Sequence, residues 1–344
     1  MRKYLLPEGG SFYKANLHCH TNISDGKLSP AEIKELYLSE GYSAVAYTDH
    51  DVMIPHHELT DERFVALTGV EYEINQYNSY PGKRGGTTTH LCFIAPTADT
   101  EIQPLWNERY AYVGAAPQNA ARVKFDPDQP EYVRDFSPES VNATIKGMRD
   151  AGFFATHNHP CWSQEDASRY TQFEGLNAVE IYNGGEERLG IESYNPAFYD
   201  DVLRAGRRVF CVATDDNHNK HPYGTKECDS CRGYVMIKAP ELSYDALMAA
   251  LFKGDFYASR APEIKELYVE DGRVYIKTSP AEAIYYKSAL RRSAIVFAKD
   301  GEQLTEASFE VRPDDGSFRL TVKDKDGLTA NTSAYFLDTL EGAL

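Results

Sequence analysis

Ten histidines are spread through this chain of 344 residues, and most of them stand at the polar ends of short apolar segments. His18 and His20 are two apart in "NLHCH". Residues i and i+2 of an extended strand point to the same side, so both imidazoles can reach one metal ion. Asp25 follows in the polar "TNISDGKLSP". His50 closes "AVAYTDH", Glu71 lies near the end of "LTGVEY", and His90 opens "HLCFIA". His157 and His159 close "FFATHNH", and Asp216 and His218 close "FCVATDDNH". Imidazole nitrogens and carboxylate oxygens are the donor set of Zn²⁺, Mn²⁺ or Fe²⁺. Two such ions side by side lower the pKa of a shared water toward ~7 and neutralise charge developing on a phosphoryl or carbonyl oxygen. A lone histidine on an apolar strand is more often a core residue; a set of this size at strand ends is not explained that way.

The elements that would position this set alternate. Short apolar runs such as "YSAVAYTD", "THLCFIA", "NAVEIYNG" and "RRVFCVATD" read as buried strands. Between them, "SPAEIKELYLSEG" starts a helix with Ser29 as N-cap and Pro30 at the first position, and Gly41 ends it. "SPESVNATIKGMRDAG" and "SYDALMAALFKG" repeat the device. This grammar implies an α/β fold with a parallel sheet or barrel, whose strand ends share one face. Residues 97–136 interrupt it with a polar, aromatic and proline-containing stretch, an insertion that is either a surface excursion or a wall of the site. After about residue 263, Asp-Gly pairs at 271–272, 300–301, 315–316 and 326–327 separate alternating segments, which predicts hairpins. We therefore expect a barrel-type domain over 1–262 and a small antiparallel β-sandwich over 263–344. That second domain would shape the site or a homo-oligomer interface.

The formal charge of −16 argues against a broad nucleic-acid or anionic-membrane surface. The start of the chain has no long apolar core of a signal peptide, and no run approaches the ~20 apolar residues of a membrane span, so a cytoplasmic protein is expected. Cys19, Cys92, Cys161 and Cys211 sit in apolar or strand-like stretches as free thiols would. Cys228 and Cys231 form a single CxxC, which reads as a loop disulfide or plain surface thiols before it reads as half of a zinc site.

"NLHCHTNISDGKLSP", "AVAYTDHD", "GVE", "NHP" and "ATDDNH" resemble, in sequence and order, the motifs of the polymerase and histidinol phosphatase (PHP) family over roughly residues 15–262. The resemblance implies a distorted (β/α)7 barrel with a multinuclear metal centre that hydrolyses phosphoesters. By position, His18, His20, Glu71 and Asp216 would hold one ion. Asp25, His50 and His218 would hold a second; Glu71, His90 and His159 would hold a third. Asp216 is preferred to Asp215 on strand parity with His218. Parity does not separate His157 from His159; the family's His-Pro ending favours His159 and leaves His157 to support a ligand or protonate the leaving group. Ser259-Arg260-Ala261-Pro262 departs from the Thr-Gly pair expected before that proline, and Arg260 is either a phosphate contact or a surface arginine.

The expected activity is a metal-dependent phosphoesterase using two to three ions on a small phosphorylated molecule, a nucleotide or sugar phosphate. No G-x-S-x-G elbow or P-loop is present to suggest a covalent serine mechanism or an NTPase. The rivals are a metal-dependent C–N or C–O hydrolase, an exonuclease, which should carry a basic groove, and a metal-stabilised binding protein.

Overall fold

The computed structural model describes residues 2–76, 86–340 and 342. After a two-residue strand β1 (Lys3–Tyr4) come β2 (Ser11–Asn16), β3 (Ala44–Tyr47), β4 (Val65–Asn75), β5 (Thr88–Ile94), β6 (Phe154–Asn158), β7 (Ala178–Asn183), β8 (Phe210–Thr214), β9 (Tyr234–Ala239) and β10 (Phe256–Ser259). From β2 to β10 they belong to one 14-stranded mixed sheet, in the order β10-β9-β2-β3-β4-β5-β6-β7-β8. The pairs β2–β3, β3–β4, β6–β7 and β7–β8 are parallel, whereas β5 runs antiparallel between β4 and β6, and β9 antiparallel to β2. The sheet curls: beyond the strand ends, Asp216 N–H donates to His18 O (3.0 Å), His20 N–H to Asn217 O (3.1 Å), and Cys19 bridges Asn217 in parallel. The two arms thus meet at the rim that carries the histidines.

The helices begin and end as their residues dictate. Ser29 accepts from the Glu32 N–H while the Glu32 carboxylate accepts from the Ser29 N–H, a reciprocal cap that starts Pro30–Ser39. Ser137 and Ser243 cap Pro138–Asp150 and Tyr244–Lys253 by accepting from the Ser140 and Ala246 N–H groups. The last of these ends at Gly254 with φ of +81°, where an added Cβ would lie 2.4 Å from the Phe210 ring. Helix faces bearing Val141, Ile145 and Met148, and Leu247 and Leu251, bury their side chains against the sheet.

The C-terminal strands are β11 (Ile264–Glu270), β12 (Arg273–Ala281), β13 (Ala283–Ser288), β14 (Ser293–Phe297), β15 (Leu304–Glu310), β16 (Ser317–Lys323), β17 (Thr329–Asn331) and β18 (Tyr335–Phe336). They form two layers with a core of Leu267, Val274, Ile276, Ile284, Phe318 and Leu320 among others. One layer is the four-stranded sheet β1-β11-β12-β15. The other, β14-β13-β16-β17, continues the large sheet through antiparallel pairing of β17 with β10. Asp271-Gly272 and Asp326-Gly327 close hairpins, as expected, the first with φ of +48° and +72°. Asp300-Gly301 and Asp315-Gly316 correct the expectation: each lies where the chain passes from one layer to the other, so the flanking strands are not partners, and at the second the turn itself falls on Pro313-Asp314. Arg319 (3.1 Å) and Lys287 pair with Asp200, joining this region to the helix Pro196–Arg204.

Residues 97–136 do not stand apart as an excursion. Trp106, Ala116, Ala120 and Val123 share a cluster with Ile23, Val52 and Ile54 from the loops after β2 and β3. Gly114 approaches so closely that a Cβ there would lie 2.2 Å from Ser24 O. Arg134 pairs with buried Asp51 (2.5 Å) beneath the rings of Tyr72 and Tyr110. All six cysteines are free thiols; Cys228 is buried rather than at the surface, and the Cys231, Arg232 and Gly233 N–H groups donate to Asp215.

Candidate metal centre

Of the nine ligand-type residues named from the sequence, five histidines surround Glu71. Its Oε1 lies 3.1 Å from His18 Nε2, 3.2 Å from His90 Nδ1 and 3.2 Å from His159 Nε2. Its Oε2 lies 3.2 Å from His20 Nε2 and 3.3 Å from His50 Nδ1. One carboxylate therefore faces two sets of imidazoles. Asp216 Oδ1 stands 3.2 Å from His18 Nε2 and 3.1 Å from His20 Nε2. Asp25 stands 3.2 Å from His218 Nε2 and 3.9 Å from both His50 Nε2 and His20 Nδ1. His20, Asp25, His50 and His218 form one compact group; His18, His159 and Asp216 a second; His50, Glu71 and His90 a third.

The mixed strand directions explain how these residues meet. His18, His20 and His50 follow the ends of β2 and β3. His90 is near the start of β5, but β5 is antiparallel, so its start lies on the same rim. Three rim residues take left-handed backbone: Asp51 (φ +61°), His159 (+28°) and Asp216 (+49°). Such conformations in non-glycine residues cluster at functional sites.

That reversal also explains where one expectation fails. His157 is on β6 proper and its ring points away from the cluster, buried between Phe173 and Phe198 with Nε2 2.6 Å from Glu165. His159 comes after the strand has ended, and its positive φ breaks the alternation that made the two look alike. His157 is thus not placed to protonate a leaving group. Arg260 is not at the cluster either: it lies over the Tyr182 ring and donates to Glu187 at 2.9 Å. Asp49 and Asp215 face away from the cluster as loop clamps, Asp49 accepting from Thr21 and Ser24, and Asp215 from Tyr37 and three backbone N–H groups.

The donor set fits divalent ions. His20 Nδ1, Asp25 Oδ1, His50 Nδ1, Glu71 Oε2 and both His90 nitrogens are buried with no hydrogen-bond partner, an arrangement that is costly unless something binds them. Donor separations of 3.1–3.3 Å come close to the ~3.3–3.4 Å edge of a tetrahedron with bonds of roughly 2.0–2.1 Å. Burial opposes ionisation of Glu71, but the charges of His18, His90 and His50 outweigh it and hold its carboxyl well below the usual range. Burial likewise works against charge on His20 and His159, yet the adjacent carboxylates of Asp216 and Glu71 raise His20 to about 10, and the bond to Glu71 raises His159 to about 9. Burial, aided by the His20 charge, pushes His50 down to about 4.

Two residues escaped the sequence reading. Glu180 on β7 lies 2.7 Å from His18 Nδ1 and accepts from Thr214 and from the His159 N–H. The signal was there, a single carboxylate inside the apolar "AVEIYN". Cys92 groups with His18 and Glu71, but burial pushes its thiol up to about 11, which disfavours the thiolate a metal needs.

No family model matches the chain. A 5′-3′ exoribonuclease of Haemophilus influenzae is 36% identical over 66 residues, covering 18% of this chain; the match spans 24% of that protein's length. Similar solved structures include a two-domain protein of Bacteroides vulgatus containing a predicted PHP-like metal-dependent phosphoesterase (16% identity, TM-score 0.47, 96% of this chain and 98% of that one). A candidate metal-dependent phosphoesterase of Bifidobacterium adolescentis is similar at 17% identity and TM-score 0.38, over 65% of this chain and 93% of its own. An amidohydrolase of Chromobacterium violaceum, solved with sulfate and no metal, is similar at 17% identity and TM-score 0.39, over 59% and 87%. Among the described residues, no helix is long and apolar enough to cross a membrane.

Proposed function

We propose that this protein is a metal-dependent phosphoesterase acting on a small phosphorylated molecule, a mononucleotide or a sugar phosphate. Two to three divalent ions (Zn, Mn or Fe) would be held by His18, His20, Asp25, His50, Glu71, His90, His159, Asp216 and His218. The observation that carries this reading is the set of orphaned donor atoms around Glu71. Bound divalent ions supply water activation and charge neutralisation at phosphorus. The motif resemblance favours phosphorus as the electrophile.

The chain's own residues do the positioning. Glu71 presents one oxygen to each imidazole set and so sets their spacing. Glu180 fixes the ring of His18 and the backbone at His159 together. Side-chain exposure rises from 0–1% at His18, His20 and Glu71 to 14–23% at Asp216, His218 and Asp25, so substrate would enter on the Asp25 side. Lys220, 3.7 Å from Asp25, brings a cation to that side for an anionic substrate.

Metal analysis of the purified protein, paired with a phosphate-release screen in Zn²⁺, Mn²⁺ and Fe²⁺, tests the proposal. Two to three ions per chain and release from phosphomonoesters support it. Bound ions with no release from any monoester or diester would move the assignment to C–N or C–O bonds. A second reading, 5′-3′ cleavage of RNA, is favoured by the 66-residue match to the exoribonuclease. Release of mononucleotides from RNA in preference to phosphate release from monoesters would select it.

A further inference from the structure

Trp162 is 40% exposed, although it stands directly against two of the buried candidate ligands. Its indole is 5.2 Å from the His90 ring and 5.3 Å from the His159 ring, edge-on to both. The other tryptophan, Trp106, is buried in a core cluster. The loop that carries Trp162 is tied down: Ser163 N–H donates to His159 O (3.1 Å), Glu165 N–H to Pro160 O (3.0 Å) and Thr88 N–H to Ser163 O (3.0 Å). The backbone N–H of Trp162 donates to Glu186 at 2.7 Å. An aromatic side chain that is fixed, half open to solvent and beside the reacting centre costs little ordering entropy when a planar group stacks on it.

We propose that Trp162 is a stacking platform for the base of a nucleotide or nucleoside substrate, and so a specificity-determining residue. The inference rests on the phosphoesterase reading for its substrate but not for its binding. The indole adjoins the imidazoles by one ring diameter, so a planar group joined to the reacting phosphate through a sugar reaches it. Polar contacts to a sugar phosphate alone would not call for an open indole; a base has a π-face whatever its sequence identity, which is why aromatic platforms serve nucleotides generally.

The zinc-loaded protein is titrated with adenosine, and with ribose as control, while intrinsic tryptophan fluorescence is followed. Saturable quenching by adenosine, missing with ribose and missing in W162F, is expected; no difference between wild type and W162F would overturn the proposal. In parallel, kcat/KM is measured for AMP and ribose 5-phosphate in wild type, W162F, W162L and W162A, with metal content checked in each. The AMP to ribose 5-phosphate ratio should fall on the order of tenfold in W162A and W162L, through KM, and be restored in W162F. An equal loss on both substrates would mark Trp162 as a shield for the ligands and overturn the stacking role. Quenching by adenosine without phosphate release from AMP would keep the platform and remove the phosphoesterase assignment instead. Release from both substrates at similar efficiency with no quenching would do the reverse.

Discussion

Glu180 Oε1 lies 2.7 Å from Nδ1 of His18, and the opposite nitrogen of that ring faces Glu71 and Asp216 at 3.1 and 3.2 Å. A carboxylate behind a ligand histidine fixes its tautomer and strengthens it as a donor. Glu180→Gln should therefore weaken metal affinity by about 10- to 100-fold while the fold survives. Competition against a metal indicator dye measures this; unchanged affinity would reduce Glu180 to a packing residue.

Glu71 offers one oxygen to His18, His90 and His159 and the other to His20 and His50. Loss of a carboxylate shared in this way removes more than one ion. In Glu71→Ala, elemental analysis should show a fall in stoichiometry by more than one ion per chain. His218→Ala, at the edge of the cluster, should lose no more than one. Equal losses in the two variants would mean that Glu71 does not bridge.

His20 and His159 hold protons to about 10 and 9 in the metal-free protein, both above the ordinary histidine value. Ligand nitrogens must be deprotonated, so metal uptake near neutral pH releases protons and affinity rises with pH. Calorimetry in buffers of different ionisation enthalpy should report this release. A raised pKa also means that the metal-free protein has the full stability from these pairs below about pH 6.5 and loses it as pH climbs through 9 to 10. Thermal melts of chelated protein should therefore fall in alkali, and loading with Zn²⁺ should restore them. A flat alkaline profile would contradict the assignment.

Much of this centre was legible because histidine and carboxylate stand where apolar strands stop. Strand parity, however, holds only while the chain stays extended. At His159 the backbone turns left-handed, which no local pattern announces, so His157 and His159 looked equivalent. Arg260 was ambiguous for another reason: its partner Glu187 comes from a segment 73 residues earlier. In the C-terminal region the Asp-Gly turns were readable, but the layer each strand joins depends on long-range pairs such as Ala258 with Asn331.

Asp200 is the shared partner of Arg319 and Lys287, which tie the C-terminal strands to the helix Pro196–Arg204. Burial opposes its ionisation, but the Arg319 charge and both sets of hydrogen bonds hold its carboxyl below the usual value. Asp200→Asn should cost about 2 kcal/mol, less than the ~3–5 kcal/mol of a fully buried broken pair because Lys287 is 43% exposed. A depressed carboxyl stabilises the fold fully above its unfolded value of ~3.9, a contribution lost as pH falls through the lower folded value. Urea unfolding should therefore show the gap between wild type and variant at pH 7 and its narrowing as pH falls below ~3.9. A gap independent of pH would assign the effect to packing.

Strand β1 pairs with β11, Lys3 against Val269 and Tyr4 against Tyr268, and Leu5 and Leu6 are buried in the core beneath them. On a ribosome adding ~5–20 residues per second, those first residues emerge roughly 10–50 s before their partner strand exists. Through that interval two leucines and an unpaired edge are open to chaperones or to neighbouring nascent chains. Docking of this strand is a late, long-range closure of high contact order, and the yield of soluble protein should depend on how fast the last third of the chain is made.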